Sequence, residues 1–167
     1  MKKYENREHV FSMSVGGLII FDNSEVLLVK KRNGGHWTLP SGFLKTHEEI
    51  KSVLEREIFE ETNVRTTELE NKGIVTIRHR HNKKIGNNVW IVFLLETKSK
   101  YQIKSNDPEE IENVAFFEIQ EILDSEISDA VTKELLKKYK DNSKNCTLKP
   151  SDKNLAKSDD SFYNLFL

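Results

Sequence analysis

Apolar and polar residues alternate in several distinct rhythms along the chain, and the changes of rhythm mark its elements. SVGGLIIF (14–21) and EVLLVKK (25–31) are β-rich runs joined by Asp22-Asn23-Ser24, whose turn chemistry predicts an antiparallel hairpin. Turn residues then recur through Asn33-Gly34-Gly35, the short WTLP segment and Ser41-Gly42. A helix is expected from about Thr46, with Thr46 and Glu49 forming a capping box. GIVTIRHRH (73–81) and NNVWIVFLLETK (87–98) predict strands. The second is apolar on both faces from Val89 to Leu95, which predicts a central, buried strand. VAFFEI (114–119) predicts another strand, and Val131, Leu135, Leu136 and Tyr139 predict a helix over about 128–140. This order implies an α/β domain over residues 1–140. Residues 141–160 are polar, as in a flexible tail, yet the chain ends SFYNLFL. That apolar end predicts either a cover over its own domain or a homodimer contact.

The helix after residue 46 carries an unusual charge pattern. At about 100° per residue, Ile50, Val53 and Leu54 share one arc, and Glu57, Glu60 and Glu61 extend it. Lys51, Ser52 and Glu55 lie roughly opposite, where solvated charge belongs. Three carboxylates thus point towards the protein body near the carboxyl end of a helix, where both mutual repulsion and the helix dipole oppose them. Arg56 compensates in part, but one guanidinium cannot neutralise three acids. A hard divalent cation suits such oxygen donors, Mg²⁺ with few carboxylates, water and substrate phosphate. The absence of Cys/His ligand spacing argues against zinc. Lysines from elsewhere pairing with a surface acidic helix are the alternative.

The whole chain limits the remaining choices. Its 167 residues, 37% hydrophobic, suffice for one ordinary domain. The 26 Lys plus Arg nearly balance the 27 Asp plus Glu, so no global field draws in nucleic acid or a membrane surface. The single cysteine, Cys146, cannot form an internal disulfide, and MKKYENREHV lacks a signal-peptide core. The longest mostly apolar run, about 10–21, is too short to span a bilayer. A soluble, cytoplasmic protein is expected.

From Gly42 the chain reads GFLKTHEEIKSVLEREIFEETNV, which resembles the Nudix box: Gly, five residues, Glu, seven residues, then Arg-Glu-apolar-x-Glu-Glu-x-Gly-apolar. Gly42, Glu48, Arg56, Glu57, Ile58, Glu60, Glu61 and Val64 occupy the box positions, and Asn63 stands where the family has glycine. Asparagine is the next most tolerant residue for a left-handed turn after a helix. The resemblance extends more loosely through WTLPSG before the box and PEEIENVAFFEI after it. It implies an α/β/α sandwich around a mixed sheet, with the box as loop-helix-loop beside the substrate cleft.

The resemblance also implies a hydrolase that cleaves nucleoside diphosphates linked to another moiety, using Mg²⁺ or Mn²⁺. Glu57, Glu60 and Glu61 would then bind cations with a backbone carbonyl near Ser41-Gly42, Arg56 would orient the glutamates, and Glu48 would support the loop. The family's general base comes either from a box glutamate or from a later loop, where Glu109 and Glu110 are the candidates. In RHRH, Arg78 and Arg80 share one strand face and His79 and His81 the other; the arginines suit phosphate recognition or a charged strand rim. Trp37, Trp90 and Phe93 are expected in the core rather than stacked on a base. Similarity in IVTIRHRHNKKIGNNVWIVFLLE favours ADP-ribose or a related dinucleotide or nucleotide sugar. Nucleoside triphosphate or RNA 5′-end hydrolysis is the alternative within the class, and a catalytically silent nucleotide sensor is the alternative outside it. Silent forms are expected to lose box acids, whereas all three glutamates and Arg56 are present here.

Overall fold

The structure is a computed structural model that describes residues 11–80, 87–143 and 161–166. β1 (Phe11–Phe21) and β2 (Glu25–Lys31) form the expected antiparallel pair. Asp22 and Asn23 both have positive φ, 45° and 58°, and Ser24 N–H bonds to Phe21 O at 3.1 Å. This β-turn over Phe21–Ser24 lies in a three-residue loop, 22–24, since Phe21 pairs with Glu25, and Asp and Asn are among the residues that tolerate positive φ at its centre.

β3 (Trp37–Thr38) and β4 (Ser41–Phe43) follow, then α1 (Ile50–Thr62). Next come β5 (Glu70–Arg80), β6 (Asn87–Thr97), β7 (Ile111–Glu118), α2 (Ile119–Asp124), α3 (Ala130–Ser143) and β8 (Ser161–Phe166). The strands make one mixed sheet in the order β3-β2-β1-β6-β5-β8, with β4 on β1 and β7 on β2. β6 runs parallel to β1 and antiparallel to β5, so it is central as its two-faced apolar pattern requires. Residues 144–160, within the expected polar tail, lie outside the described residues. Beyond them β8 pairs with β5 of the same chain, from Ile74 opposite Phe166 to His79 opposite Ser161.

Alternation along the strands separates two cores. Val15, Ile19, Leu27 and Leu95 face Val53, Leu54 and Ile58 of α1. Leu18, Ile20, Val26 and Leu28 face the opposite side, towards Ile119 and Ile122 of α2 and Leu135 and Leu136 of α3. The sheet is therefore sandwiched between helices. Trp90 belongs to the second core, with Trp37 packed against it, while Phe93 packs against the first, so all three pack with the core as expected. Trp37 also meets Phe117 edge-on at 4.7 Å. Among the described residues no helix is long and apolar enough to cross a membrane.

Two local expectations are corrected. The helix begins at Ile50, not near Thr46, and its cap residue Glu49 makes no side-chain capping bond. Residues 45–48 form a separate turn: His47 has φ 72°, Glu48 N–H bonds to Lys45 O, and the Glu48 carboxylate accepts Lys45 N–H at 2.9 Å. Glu48 thus serves the loop, which leaves Thr46 with no helix to cap. The later start also puts Ile50 in the first turn, 38% exposed rather than in the buried stripe. α2 escaped prediction because six residues are too few to establish a helical period.

Candidate active site

The β1–β2 hairpin splays open after its first few residues, and the site is built in the gap. β2 stays on β1 only through Ile19–Phe21 and Glu25–Leu27. Beyond that, β4 takes the edge of β1 and β3 the edge of β2, so residues 37–43 fill the wedge. Gly17 N–H bonds to Pro40 O at 3.1 Å. Gly16 permits the approach, since a Cβ there would stand 2.6 Å from Ser41 Cβ and 2.8 Å from Pro40 O. Ser41 and Gly42 are thereby held beneath the second half of α1.

Two of the three inward glutamates meet this loop. Glu61, 2% exposed, accepts Ser41 N–H at 2.8 Å on Oε2. Glu57, 9% exposed, lies directly over Gly42: a Cβ on residue 42 would sit 1.9 Å from Glu57 Oε1 and 2.0 Å from its Cδ. Glycine is required there because the carboxylate occupies the space of a side chain. Glu60 departs from the expected inward set, for its side chain is 45% exposed and lies at the rim. It falls at the edge of an arc centred on Glu57 and Glu61.

Arg56 spans the acids. Its Nη1 donates to Glu57 at 2.6 Å and Glu60 at 3.2 Å, while Nε and Nη2 donate to Glu48 at 3.2 and 3.3 Å. One planar fork therefore ties the 45–48 turn to the helix. Lys31, at the end of β2, is the residue the sequence reading missed. Its Nζ lies 3.3 Å from Glu61 Oε1, 2.7 Å from Glu110 Oε1 and 3.3 Å from Ser41 O. Period two would have placed it on the face of Leu27, which packs towards α1, but a lysine ending KKR gives no other signal.

The electrostatics follow from burial. Burial pushes the Glu61 carboxyl up to about 7, against the pull of the Lys31 ammonium and the Ser41 N–H. Burial also raises Glu57, opposed mainly by Arg56. Burial would lower Lys31, but Glu61 and Glu110 together outweigh it and hold the ammonium above its ordinary value. Glu48 is held low, chiefly by the Lys45 N–H and also by Arg56. Five carboxylates, of Glu48, Glu57, Glu60, Glu61 and Glu110, thus share the two cations Arg56 and Lys31.

This donor set fits a hard divalent cation. Every side-chain donor is a carboxylate oxygen, negative charge is in excess, and Glu61 Oε1 is buried without a hydrogen bond, facing only the ion-pair contact to Lys31. Among the described residues no three acids stand together as a finished cage. Arg56 bridges Glu57 and Glu60 instead, and Lys31 bridges Glu61 and Glu110. The Ser41 carbonyl accepts from Lys31, and Gly42 supplies space. Glu110 joins the site through Lys31; Glu109 is exposed, and its N–H bonds to Asp107. Arg78 and Arg80 stand opposite Val89 and Asn87 in β5, but their side chains, and all of His81, lie outside the described residues.

The profile described as NUDIX domain matches residues 11–139, well over half of the chain. The chain belongs to the Nudix hydrolase family. Gly42 to Val64 is its Nudix box, and the wedge loop and α1 are the box's loop and helix. Nudix hydrolase 8 of Arabidopsis thaliana is 39% identical over 75 residues, 42% of this chain and 20% of the plant protein. A MutT-like protein of Streptomyces ambofaciens is 32% identical over 63 residues, 38% of this chain and 41% of that one. The aligned stretches thus span less than half of either relative. The Nudix fold is shared with an Ap4A hydrolase of C. elegans in a binary complex, at a TM-score of 0.67, 20% identity and coverage of 80% of this chain and 98% of that one. It is shared too with the NUDIX domain of Shewanella oneidensis NrtR complexed with ADP ribose, at a TM-score of 0.64, 18% identity and coverage of 80% and 89%.

Proposed function

We propose that this chain hydrolyses a phosphoanhydride bond in a nucleoside diphosphate linked to another moiety, with ADP-ribose or a related dinucleotide or nucleotide sugar as substrate. The observation that carries the reading is the pair of buried carboxylates, Glu57 seated on Gly42 and Glu61 on Ser41 N–H, in a site where acids outnumber cations. Glu57, Glu60 and Glu61, with a carbonyl of the Ser41-Gly42 turn, would hold Mg²⁺ or Mn²⁺. Bound there, the cation would neutralise pyrophosphate charge and lower the pKa of the attacking water.

The chain's own residues do the rest. Arg56 orients Glu57 and Glu60 and locks the loop through Glu48. Lys31 holds Glu110 beside Glu61, where Glu110 is the candidate to take the proton as water oxygen bonds to phosphorus and the bridging P–O bond breaks. The ADP-ribose bound by the fold relative from Shewanella oneidensis lends support to the substrate class.

The test is incubation with Mg²⁺ or Mn²⁺ and a panel of ADP-ribose, NADH, dinucleoside polyphosphates, nucleoside triphosphates and triphosphorylated RNA. AMP plus ribose 5-phosphate from ADP-ribose is the expected result. Preferential cleavage of triphosphates or RNA ends would move the substrate assignment to that alternative. No cleavage of any anhydride with either metal would overturn the enzyme reading in favour of a nucleotide sensor.

A further inference from the structure

Asn63 does more than tolerate the backbone shape that the box glycine adopts. Its φ is 64° and its N–H bonds to Phe59 O at 2.9 Å, so the left-handed helix end is intact. Glycine would make the same turn. Its side chain, however, reaches the segment that follows β6: Nδ2 donates to Gln102 O at 3.1 Å, and Oδ1 accepts from Asn106 Nδ2 at 3.2 Å. Glycine can make neither bond.

The same segment closes the carboxyl end of α1. Asn106 Nδ2 also donates to Phe59 O at 2.8 Å, and Asn106 N–H to Glu60 O at 2.8 Å. Asp107 N–H reaches Glu60 O and Lys104 N–H reaches Thr62 O, each at 3.2 Å. The Glu60 and Thr62 carbonyls, which lie past the helix's own bonding, are thus satisfied from residues 104–107, and Phe59 O gains a second donor. Asp107 in turn caps the next turn, its Oδ1 accepting from Glu109 N–H at 3.2 Å and Glu110 N–H at 3.1 Å. Glu110 then closes on Lys31 and, through it, Glu61. An unbroken chain of contacts runs from residue 63 to the loop acid and back into the box.

We propose that Asn63 is a positioning residue: its amide pins the 102–107 segment to the end of α1 and thereby sets Glu110 in place beside Lys31 and Glu61. The catalytic part of this assignment rests on the hydrolase reading, while the pinning stands apart from it. Asn63→Gly separates the two roles of the residue, because glycine keeps the left-handed turn while removing both side-chain bonds.

Amide hydrogen exchange on the full chain reads the pinning without any substrate. In Asn63→Gly, exchange at Asn106, Asp107, Glu109 and Glu110 rises about three- to tenfold, as the loss of two exposed neutral hydrogen bonds warrants, while β1 and β6 amides are unchanged. Unchanged exchange at those four amides overturns the proposal whatever the enzyme does. With the substrate the panel identifies, Asn63→Gly lowers kcat several-fold with KM nearly constant, and this loss disappears in a Glu110→Gln background. Equal losses in both backgrounds would refute the action through Glu110. A wild-type chain with no activity would fail the hydrolase reading alone, and the exchange result would still decide the pinning.

Discussion

Replacing Gly42 by alanine adds one methyl group and tests whether the Glu57 carboxylate is seated as described. The added Cβ would stand 1.9 Å from Oε1, 2.0 Å from Cδ and 2.3 Å from Oε2, whereas real Cβ contacts essentially never fall below 3.0 Å. The carboxylate, the end of a flexible side chain, must therefore retreat by roughly 1 Å or more. Residue 42 lies in β4 opposite Val15, outside the left-handed region, so alanine suffers no backbone strain. The retreat costs the 2.6 Å bond from Arg56 and moves a carboxylate within the site. A misplacement of about 1 Å can cost roughly a hundredfold in rate. Stability should fall by only about 1 kcal/mol, because the displaced acid moves towards water. Steady-state turnover of the panel's best substrate with Mg²⁺, beside a thermal melt, measures both. Turnover within twofold of wild type would refute the seat of Glu57 as a requirement of the site.

Two further outcomes follow from the same electrostatics. Glu61 has an ordinary carboxyl value of 4.5 and is raised to about 7 when folded, so its protonated form is the one the fold favours. Its contribution to stability is full below about pH 4.5 and is lost as pH rises through 7, by about 3 kcal/mol in order of magnitude. Glu61→Gln, which cannot ionise, should therefore gain in melting temperature relative to wild type between pH 5 and 8.5 in metal-free buffer. Parallel stability curves for the two proteins would contradict the buried, strained acid. Lys31→Met leaves Glu61 buried opposite an apolar chain and should cost about 1–3 kcal/mol at pH 8, the lower end reflecting the lysine's partial exposure. Chemical denaturation at pH 8 and pH 5.5 measures it, with a smaller loss expected at pH 5.5; an equal loss at both would detach Lys31 from the Glu61 charge.

Much of this site was legible in the residues because helical geometry is regular. One hundred degrees per residue suffices to bring Glu57 and Glu61 onto the face of Val53 and Leu54, and the structure buries all four. The two-faced apolar run from Val89 to Leu95 likewise announced β6 as a central strand, and the tolerance of Asn for positive φ anticipated residue 63. What escaped depended on distant pairing. The turn at 45–48 arises because Glu48 meets Arg56, and neither residue's local propensity encodes that contact. Lys31 is one lysine among many until β2 is placed beside the wedge loop and the 107–110 turn. Asn106 is equally silent, since its partners are the carbonyls of a helix end over forty residues away. Patterns announce which face is buried; long-range hydrogen bonds decide what that face holds.

Turnover of Glu61→Gln tests most directly whether the buried carboxylates carry the reaction. Glutamine keeps the shape of the side chain and can still accept the Ser41 N–H, but it withdraws a negative oxygen donor from the buried centre of the site. With saturating Mg²⁺ and the panel's best substrate, kcat should fall by about a hundredfold or more while the melt shows an intact fold. Wild-type turnover in Glu61→Gln, with the protein folded, would contradict the claim that these buried carboxylates carry the hydrolysis.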